Sequence, residues 1–425
     1  MSEPELAALV GPLSVVGEVQ EVEAIRGLPE LSVHIANIGS GFPGRQMHHG
    51  PNHGSGRSYS DPDVSRIIAI AEGAERYAGL SYFDEPIWAT VAELSGPTID
   101  LDRLPRLSAT ELARPQCPLT TFATTARIRW LRGIDLATHD ETWVPAVMAC
   151  YGLPKVRPEE NFWYRISTGY AIHSNPEKAL CGALMEVIER DSIAVTWLQK
   201  LPLTLVREHH FSELTRELLH WCDRHFIEVS LFDATSDMGI PTVYGLQVSP
   251  YDRKARHIVS CATAATLTEA AEKTLLDGIS IRNSYSKPGP LETDFGKFTE
   301  LHHGAHYMAH PDRSPAFDFL LRSASDRPPR ETQEHLPEEP AQLLRHLVGT
   351  LESKGMQAVA VNRTTEDLAA AGLTAVVVVI PDLQPMSLLP LAQYRAHPRL
   401  YDAPRLMGFR VLEEDDLNPW PQPFA

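Results

Sequence analysis

The chain has 425 residues and carries 38 Lys and Arg against 55 Asp and Glu, a formal charge of −17. So acidic a chain lacks the basic face that displaces counterions from nucleic acid. Its 43% apolar residues set it apart from a disordered composition. Uncharged apolar runs are short: Ala375 to Ile380, for example, ends at Pro381, far short of the roughly 18 residues that span a bilayer. The N-terminal Met1-Ser-Glu-Pro-Glu5 is acidic where a signal peptide is basic. Cys117, Cys150, Cys181, Cys222 and Cys261 are scattered without a C-x-x-C, which suggests neither a disulfide framework nor a zinc knuckle. A soluble, cytoplasmic protein with no nucleic-acid or membrane partner is expected.

In chain order, a short strand is predicted at Leu31–Ile38, then an irregular Gly/His/Ser-rich loop from Gly39 to Asp63. Val64, Ile67, Ile68, Ala71 and Ala74 recur at helical spacing, so a helix should run from Val64 to a C-cap at Gly79. Trp143–Met148 reads as a strand, and Pro176–Leu198 as a second helix opened by its proline. Helix Phe211–Arg224 precedes strands at Ile227–Phe232, Thr242–Val248 and His257–Cys261, and a third motif-bearing helix spans Thr268–Ser284. After a polar, proline-bearing loop at Arg322–Pro340 come helix Ala341–Lys354, strand Gln357–Asn362, helix Thr365–Ala371 and strand Thr374–Ile380. Gly355 and Gly372 sit where helix C-caps belong. The alternation is that of an α/β protein with a proline-rich tail.

One motif occurs twice at a fixed offset. Glu72-Gly-Ala-Glu75-Arg76 lies on the first helix and Glu186-Val-Ile-Glu189-Arg190 on the second. In each copy the carboxylates are three residues apart and share a helix face. A single copy is explained by an arginine neutralising its own glutamates. Two copies in apolar helices ask for cationic compensation. Oxygen-only ligands suit Mg²⁺ bridged to phosphates, which would leave the arginines for phosphate oxygens. Upstream, Gly54-Ser-Gly-Arg-Ser58 could cradle phosphate through its N–H groups and Arg57. Neither a Walker A sequence nor a G-x-G-x-x-G opens a helix anywhere. His48, His49 and His53, and His302, His303, His306 and His310, lack a completing carboxylate or cysteine and read as solvated or core histidines. Cys181, one turn before the second glutamate pair, reads as packing.

Ser167-Thr-Gly-Tyr-Ala171, Pro176-Glu-Lys-Ala179 and Ala183-Leu-Met-Glu-Val-Ile-Glu-Arg-Asp191 together resemble the signature of YcaO proteins. Arg129-Trp130 and Trp143-Val-Pro-Ala-Val147 resemble the strand pair before it, and Thr268-Glu-Ala270 to Asp277-Gly-Ile-Ser-Ile-Arg282 the third helix. The similarity runs from about Gly54 to the last residue. It implies a YcaO-type α/β fold, with mixed sheets and helices meeting around a carboxylate-rich ATP/Mg²⁺ site. Residues 1–53 would then be an N-terminal extension and 54–425 the catalytic domain.

By position, the resemblance implies that Glu72, Glu75, Glu186 and Glu189 bind Mg²⁺. Arg57, Arg76, Ser167, Arg190, Asp277 and Arg282 would contact the nucleotide or order those glutamates. The implied chemistry is ATP-dependent activation of a peptide amide. A Cys, Ser or Thr nucleophile gives an azoline, sulfide a thioamide and an amine an amidine. The tail Asn418-Pro-Trp-Pro-Gln-Pro-Phe-Ala425 resembles those of azoline-forming members, where Pro419, Pro421 and Pro423 stiffen an arm that delivers the carboxylate of Ala425. Lys178, Ile68 and Asp277 depart from the family pattern, and a degenerate, non-catalytic scaffold is the contrasting reading. The implied partners are a precursor peptide and a separate leader-binding protein of the E1-like or ocin-ThiF kind. A dehydrogenase that oxidises the ring and a homodimer are also compatible with the resemblance.

Overall fold

The computed structural model describes residues 6–39, 53–81, 87–285, 291–323 and 335–424. In chain order the strands are β1 (Val16–Glu21), β2 (Leu31–Ile38), β3 (His53–Tyr59), β4 (Ile87–Ala89), β5 (Ile128–Asp135), β6 (Glu141–Pro145) and β7 (Tyr170–His173). They continue as β8 (Thr204–Leu205), β9 (Glu228–Asp233), β10 (Thr242–Val248), β11 (His257–Thr263), β12 (Val359–Asn362) and β13 (Thr374–Val379). The helices used below are α1 (Pro62–Leu80), α2 (Pro176–Leu198), α3 (Glu213–Arg224), α4 (Leu267–Ser284), α5 (His302–Ala309), α6 (Pro340–Ser353) and α7 (Arg399–Leu406). No described helix is long and apolar enough to cross a membrane.

The chain divides into two compact units. The first comprises Met1–Leu104, Leu119–Val187 and Glu339–Pro381, the second Pro105–Pro118, Ile188–Glu338 and Asp382–Ala425. In the first unit β1-β2-β3 form one antiparallel sheet. A second sheet has the order β4-β5-β12-β13-β7, with β6 paired to β5. Strands far apart in sequence meet there: β12 pairs with β5 through Val359–Asp135, and β13 with β7 through Val377–Tyr170. Its core is aromatic and branched, built on Trp130, Trp143, Val144, Tyr170, Val359 and Val377.

Helix α1 begins at Asp61, whose carboxylate accepts from the N–H groups of Asp63 and Val64, and Pro62 occupies the first turn. It lies against β2 and β3. Segment 53–59, expected to be loop, is a strand, and its glycines are the reason. A Cβ at Gly54 would stand 2.2 Å from the Gly73 nitrogen, and one at Gly56 1.9 Å from the Ser65 oxygen. Gly54 and Gly56 therefore serve backbone approach to the helix rather than a turn. The same contact corrects the expected apolar stripe: Val64 and Ile68 are 40% and 42% exposed, while Ser65, Ala69, Gly73 and Ala74 are buried. Close approach selects small residues on the inner face. Gly79 is not a cap but lies within α1, where an added Cβ would come 2.0 Å from the Tyr151 ring. His48 and His49 lie outside the described residues, as does part of the expected loop 322–340.

In the second unit β11-β10-β9-β8 form an antiparallel sheet, with α4 packed on β10 and β11. Strand β10 matches its expected bounds, and β11 extends to Thr263. Helices α3 and α4 carry Ser212 and Thr266 as side-chain N-caps. Trp143–Met148 is strand only to Pro145 and then turns into a short helix, Ala146–Ala149. Gly355 and Gly372 have φ of 67° and 71°, the left-handed conformation expected after a helix.

Candidate functional site

In the first unit Arg76 is the hub. Its Nη2 meets Glu72 Oε1 at 2.5 Å and its Nη1 meets Glu75 Oε1 at 2.8 Å. Burial alone would lower the guanidinium's pKa, but the charges of Glu72, Glu75 and Glu186 outweigh it and raise the pKa above its ordinary value. Three of the four motif glutamates thus bear on one arginine. Tyr151 Oη donates to the Arg76 carbonyl at 2.8 Å and fixes the end of that turn. The Nε–H of Arg76 is buried without a hydrogen-bond partner among the described residues.

Each glutamate pair is also held by backbone N–H groups. Ser55 N donates to Glu72 Oε2 at 2.7 Å, with Ser55 Oγ at 3.3 Å. Gly169 N donates to Glu186 Oε2 at 3.0 Å, and in the second unit Thr263 N donates to Glu189 Oε2 at 2.8 Å. Charge-assisted bonds of this kind orient a carboxylate firmly. The glycine-rich segment at 54–58 thus does present N–H to an anion, and in this structure the anion is Glu72. Gly169 has φ +84°, and an added Cβ would lie 2.4 Å from the Val378 oxygen, so only glycine suits this N–H donor.

In the second unit Arg190 pairs with Glu189. Glu189, Arg190 and Asp277 all act electrostatically on the Cys261 thiol, whose pKa is pushed up chiefly by burial. Arg282 gives Nε to Gln247 Oε1 at 2.9 Å and Nη1 to the Ala255 carbonyl at 2.5 Å, and burial lowers its pKa to about 10. Arg57 lies in β3 opposite Val33, and Ser167 sits in the turn before β7, its carbonyl accepting from Tyr170 N. Of the three departures, Ile68 points outward, Lys178 is exposed and Asp277 lies on α4. The tail is packed rather than frayed. Trp197 Nε1 donates to the Trp420 carbonyl at 3.0 Å, Pro421 and Pro423 are buried, and Phe424 meets Tyr244 edge-on at 5.5 Å. Pro419 is exposed, and Ala425 lies outside the described residues.

Oxygen donors without His or Cys suit a hard cation such as Mg²⁺. Among the described residues no three His, Cys, Asp or Glu side chains form a ready-made metal cage. A nucleotide-borne Mg²⁺ keeps waters and phosphate oxygens as most of its ligands and needs only one or two carboxylates. The donor set, together with a buried Arg76 Nε–H that lacks a hydrogen-bond partner among the described residues, fits Mg²⁺ with a phosphate-bearing ligand.

Two buried charge networks escape the sequence pattern. Arg129 clamps Glu160 through Nε and Nη2, both at 2.7 Å, with the two side chains 5% and 1% exposed. Arg399 of α7 clamps Asp191 and Asp237. Nothing in the local sequence pairs an arginine with an aspartate more than 200 residues away.

The profile of the family described as YcaO cyclodehydratase, ATP- and Mg²⁺-binding, matches residues 54–384. No curated protein matches the chain in sequence. Among solved structures, the chain is similar to a heterocyclase in complex with substrate and cofactor: 23% identity, 99% of this chain and 56% of that one, TM-score 0.76. It is similar to YcaO from Methanopyrus kandleri bound with AMPPCP and Mg²⁺, at 17% identity over 87% and 86% of the two chains, TM-score 0.60. It is also similar to a chain of the E. coli microcin synthetase McbBCD complex with pro-MccB17 bound, at 13% identity over 95% and 96%, TM-score 0.63. At such identities the likeness is one of fold. The chain spans about half the length of the heterocyclases it matches.

Proposed function

The chain belongs to the YcaO family, and from that premise we propose that it is an ATP-dependent cyclodehydratase acting on a ribosomally made precursor peptide. A Cys, Ser or Thr side chain adds to the carbon of the preceding backbone amide, and the amide oxygen departs as phosphate. The peptide loses one water and gains a thiazoline or oxazoline ring, while ATP becomes ADP. ATP with Mg²⁺, when bound, supplies the phosphoryl group that makes the amide oxygen a leaving group.

Glu72, Glu75, Glu186 and Glu189 would hold the Mg²⁺. Arg57, Arg76, Ser167, Arg190, Asp277 and Arg282 would contact the nucleotide or order those glutamates. Pro419, Pro421 and Pro423 would aim the carboxylate of Ala425, with residues 54–425 acting as the catalytic domain and 1–53 as its extension. Positioning and charge neutralisation supply most of the catalysis of phosphoryl transfer. The observation that carries the reading is Arg76, ringed by Glu72, Glu75 and Glu186 yet left with an unpartnered, buried Nε–H.

Recognition of the precursor is assigned to a separate E1-like or ocin-ThiF partner. Similarity to a chain of the precursor-bound McbBCD complex supports this division of labour. The test is the intact mass of candidate precursors after incubation with the protein, its partner, ATP and Mg²⁺. Loss of one water per ring, dependent on a Cys, Ser or Thr, is expected. A gain of one sulfur for one oxygen with added sulfide would mean thioamidation. No mass change together with no ATP binding would leave a non-catalytic scaffold.

A further inference from the structure

Helix α2 carries, directly after Glu189 and Arg190, a buried aspartate that the proposed chemistry leaves unused. Asp191 is wholly buried, and its carboxylate is gripped by Arg399 through Nε at 3.0 Å and Nη2 at 2.7 Å. Gln384 N adds a third donor at 2.8 Å. The same Arg399 Nη2 reaches Asp237 Oδ1 at 2.7 Å, beyond the end of β9. Burial would lower the pKa of Arg399, but Asp191 and Asp237 outweigh it and raise the pKa.

The clamp belongs to a wider stitching of α2 to the segment that follows Pro381. Asn418 N donates to the Leu198 carbonyl at 2.8 Å, and Gln199 exchanges hydrogen bonds with Leu412 in both directions. Those bonds hold the C-terminal end of the helix. Asp191 ties that segment to the helix beside the motif. Successive helix residues turn by roughly 100°, so Asp191 projects about 200° round from Glu189, on the opposite side of the helix. A fork locked on the back of α2 therefore fixes the rotation of the front.

We propose that Arg399 is a positioning residue for nucleotide binding: by clamping Asp191 it sets the rotation of α2 that presents Glu189 and Arg190. The inference rests on the reading of Glu189 and Arg190 as part of an ATP/Mg²⁺ site. Arg399 lies past residue 384, where the family profile ends, so the device belongs to this chain's C-terminal segment. Lysine at 399 would keep the charge between two buried carboxylates but lose the planar fork that fixes direction.

The experiment titrates ATP into the full chain at several Mg²⁺ concentrations by calorimetry. It compares wild type, Arg399→Lys, Asp191→Asn and Glu189→Gln, with thermal unfolding recorded for each. Arg399→Lys and Asp191→Asn are expected to weaken ATP binding ~10- to 100-fold, the range seen when a ligand's orienting partner is lost, while folding cooperatively. A purely structural clamp would lower the melting temperature and leave ATP affinity unchanged, which would overturn the proposal. Asp191→Asn, which keeps size and shape, supplies the answer if Arg399→Lys does not fold. Unchanged affinity in Glu189→Gln would instead overturn the underlying site reading, and the inference with it.

Discussion

The two Glu-x-x-Glu-Arg copies share a sequence and differ in how they are held. In the α1 copy Arg76 takes both of its own glutamates, and β3 adds an N–H to Glu72. In the α2 copy Arg190 pairs with Glu189, while Glu186 turns to Gly169 N in the turn before β7. The first copy is an electrostatic knot centred on a buried guanidinium. The second splits its carboxylates between two backbone N–H donors, one in the turn before β7 and one at the end of β11. An identical motif therefore sets charge and spacing, whereas the neighbouring strands decide which oxygens face away from the protein's own donors.

That contrast can be broken most severely at the carboxylates. Glu186→Gln and Glu189→Gln should each reduce ATP-dependent peptide modification by about 100-fold or more, with unchanged circular dichroism. Wild-type rates in either variant would remove the α2 copy from the chemistry. The arginines should then separate the copies by stability. Arg76→Met leaves Glu72 and Glu75, partly buried at 28% and 17% exposed, without their cation and should cost about 1.5–3 kcal/mol in urea unfolding. Arg190→Met, whose side chain is 26% exposed, should cost about 1 kcal/mol. Equal losses would mean that the copies are held alike.

Smaller effects sharpen the role of the N–H donors. Gly169→Ala strains a residue at φ +84° and displaces the donor to Glu186, so activity should fall ~10-fold with about 1–2 kcal/mol of stability lost. Ser55→Ala removes only the 3.3 Å hydroxyl contact to Glu72 and keeps the N–H, so a change of no more than about 3-fold, roughly 0.6 kcal/mol, is expected. Any comparison of the copies belongs above pH 6.5. Burial depresses the pKa of both His257 and His397 to about 4. As pH falls the unfolded chain protonates first, near 6.5. Stability should therefore drop by about 1.4 kcal/mol per pH unit for each histidine down to about 4. His397→Phe should flatten that slope in urea unfolding followed across the range.

Much of the fold was legible because hydrophobic periodicity and caps report local structure. Strand β10, helix α2 and the left-handed glycines 355 and 372 follow from residues that lie beside one another. What escaped reading depends on contacts distant in sequence. Gly54 and Gly56 look like a loop until α1 is laid on them, and Gly79 looks like a cap until Tyr151 is placed against it. The exposed faces of Val64 and Ile68 follow from the same contact, because close approach buries the small residues instead. At the candidate site the glutamates and arginines were visible as a repeated motif. Their backbone donors Ser55, Gly169 and Thr263 were not, since a backbone N–H carries no side-chain signature. Gly169 did leave a trace, within the Ser167-Thr-Gly-Tyr-Ala171 run, as a glycine just before a strand. Arg399 left none, because an arginine reveals its partner only when the chain has folded.

The central claim is that these carboxylates receive a metal-bound nucleotide. Its most direct test is anomalous diffraction from crystals grown with a non-hydrolysable ATP analogue and Mn²⁺ in place of Mg²⁺, since both ions favour carboxylate and phosphate oxygens. The account predicts manganese peaks at bonding distance, about 2.0–2.3 Å, from carboxylate oxygens among Glu72, Glu75, Glu186 and Glu189, with phosphate oxygens completing the sphere. Nucleotide and manganese bound together at some other set of residues would contradict it.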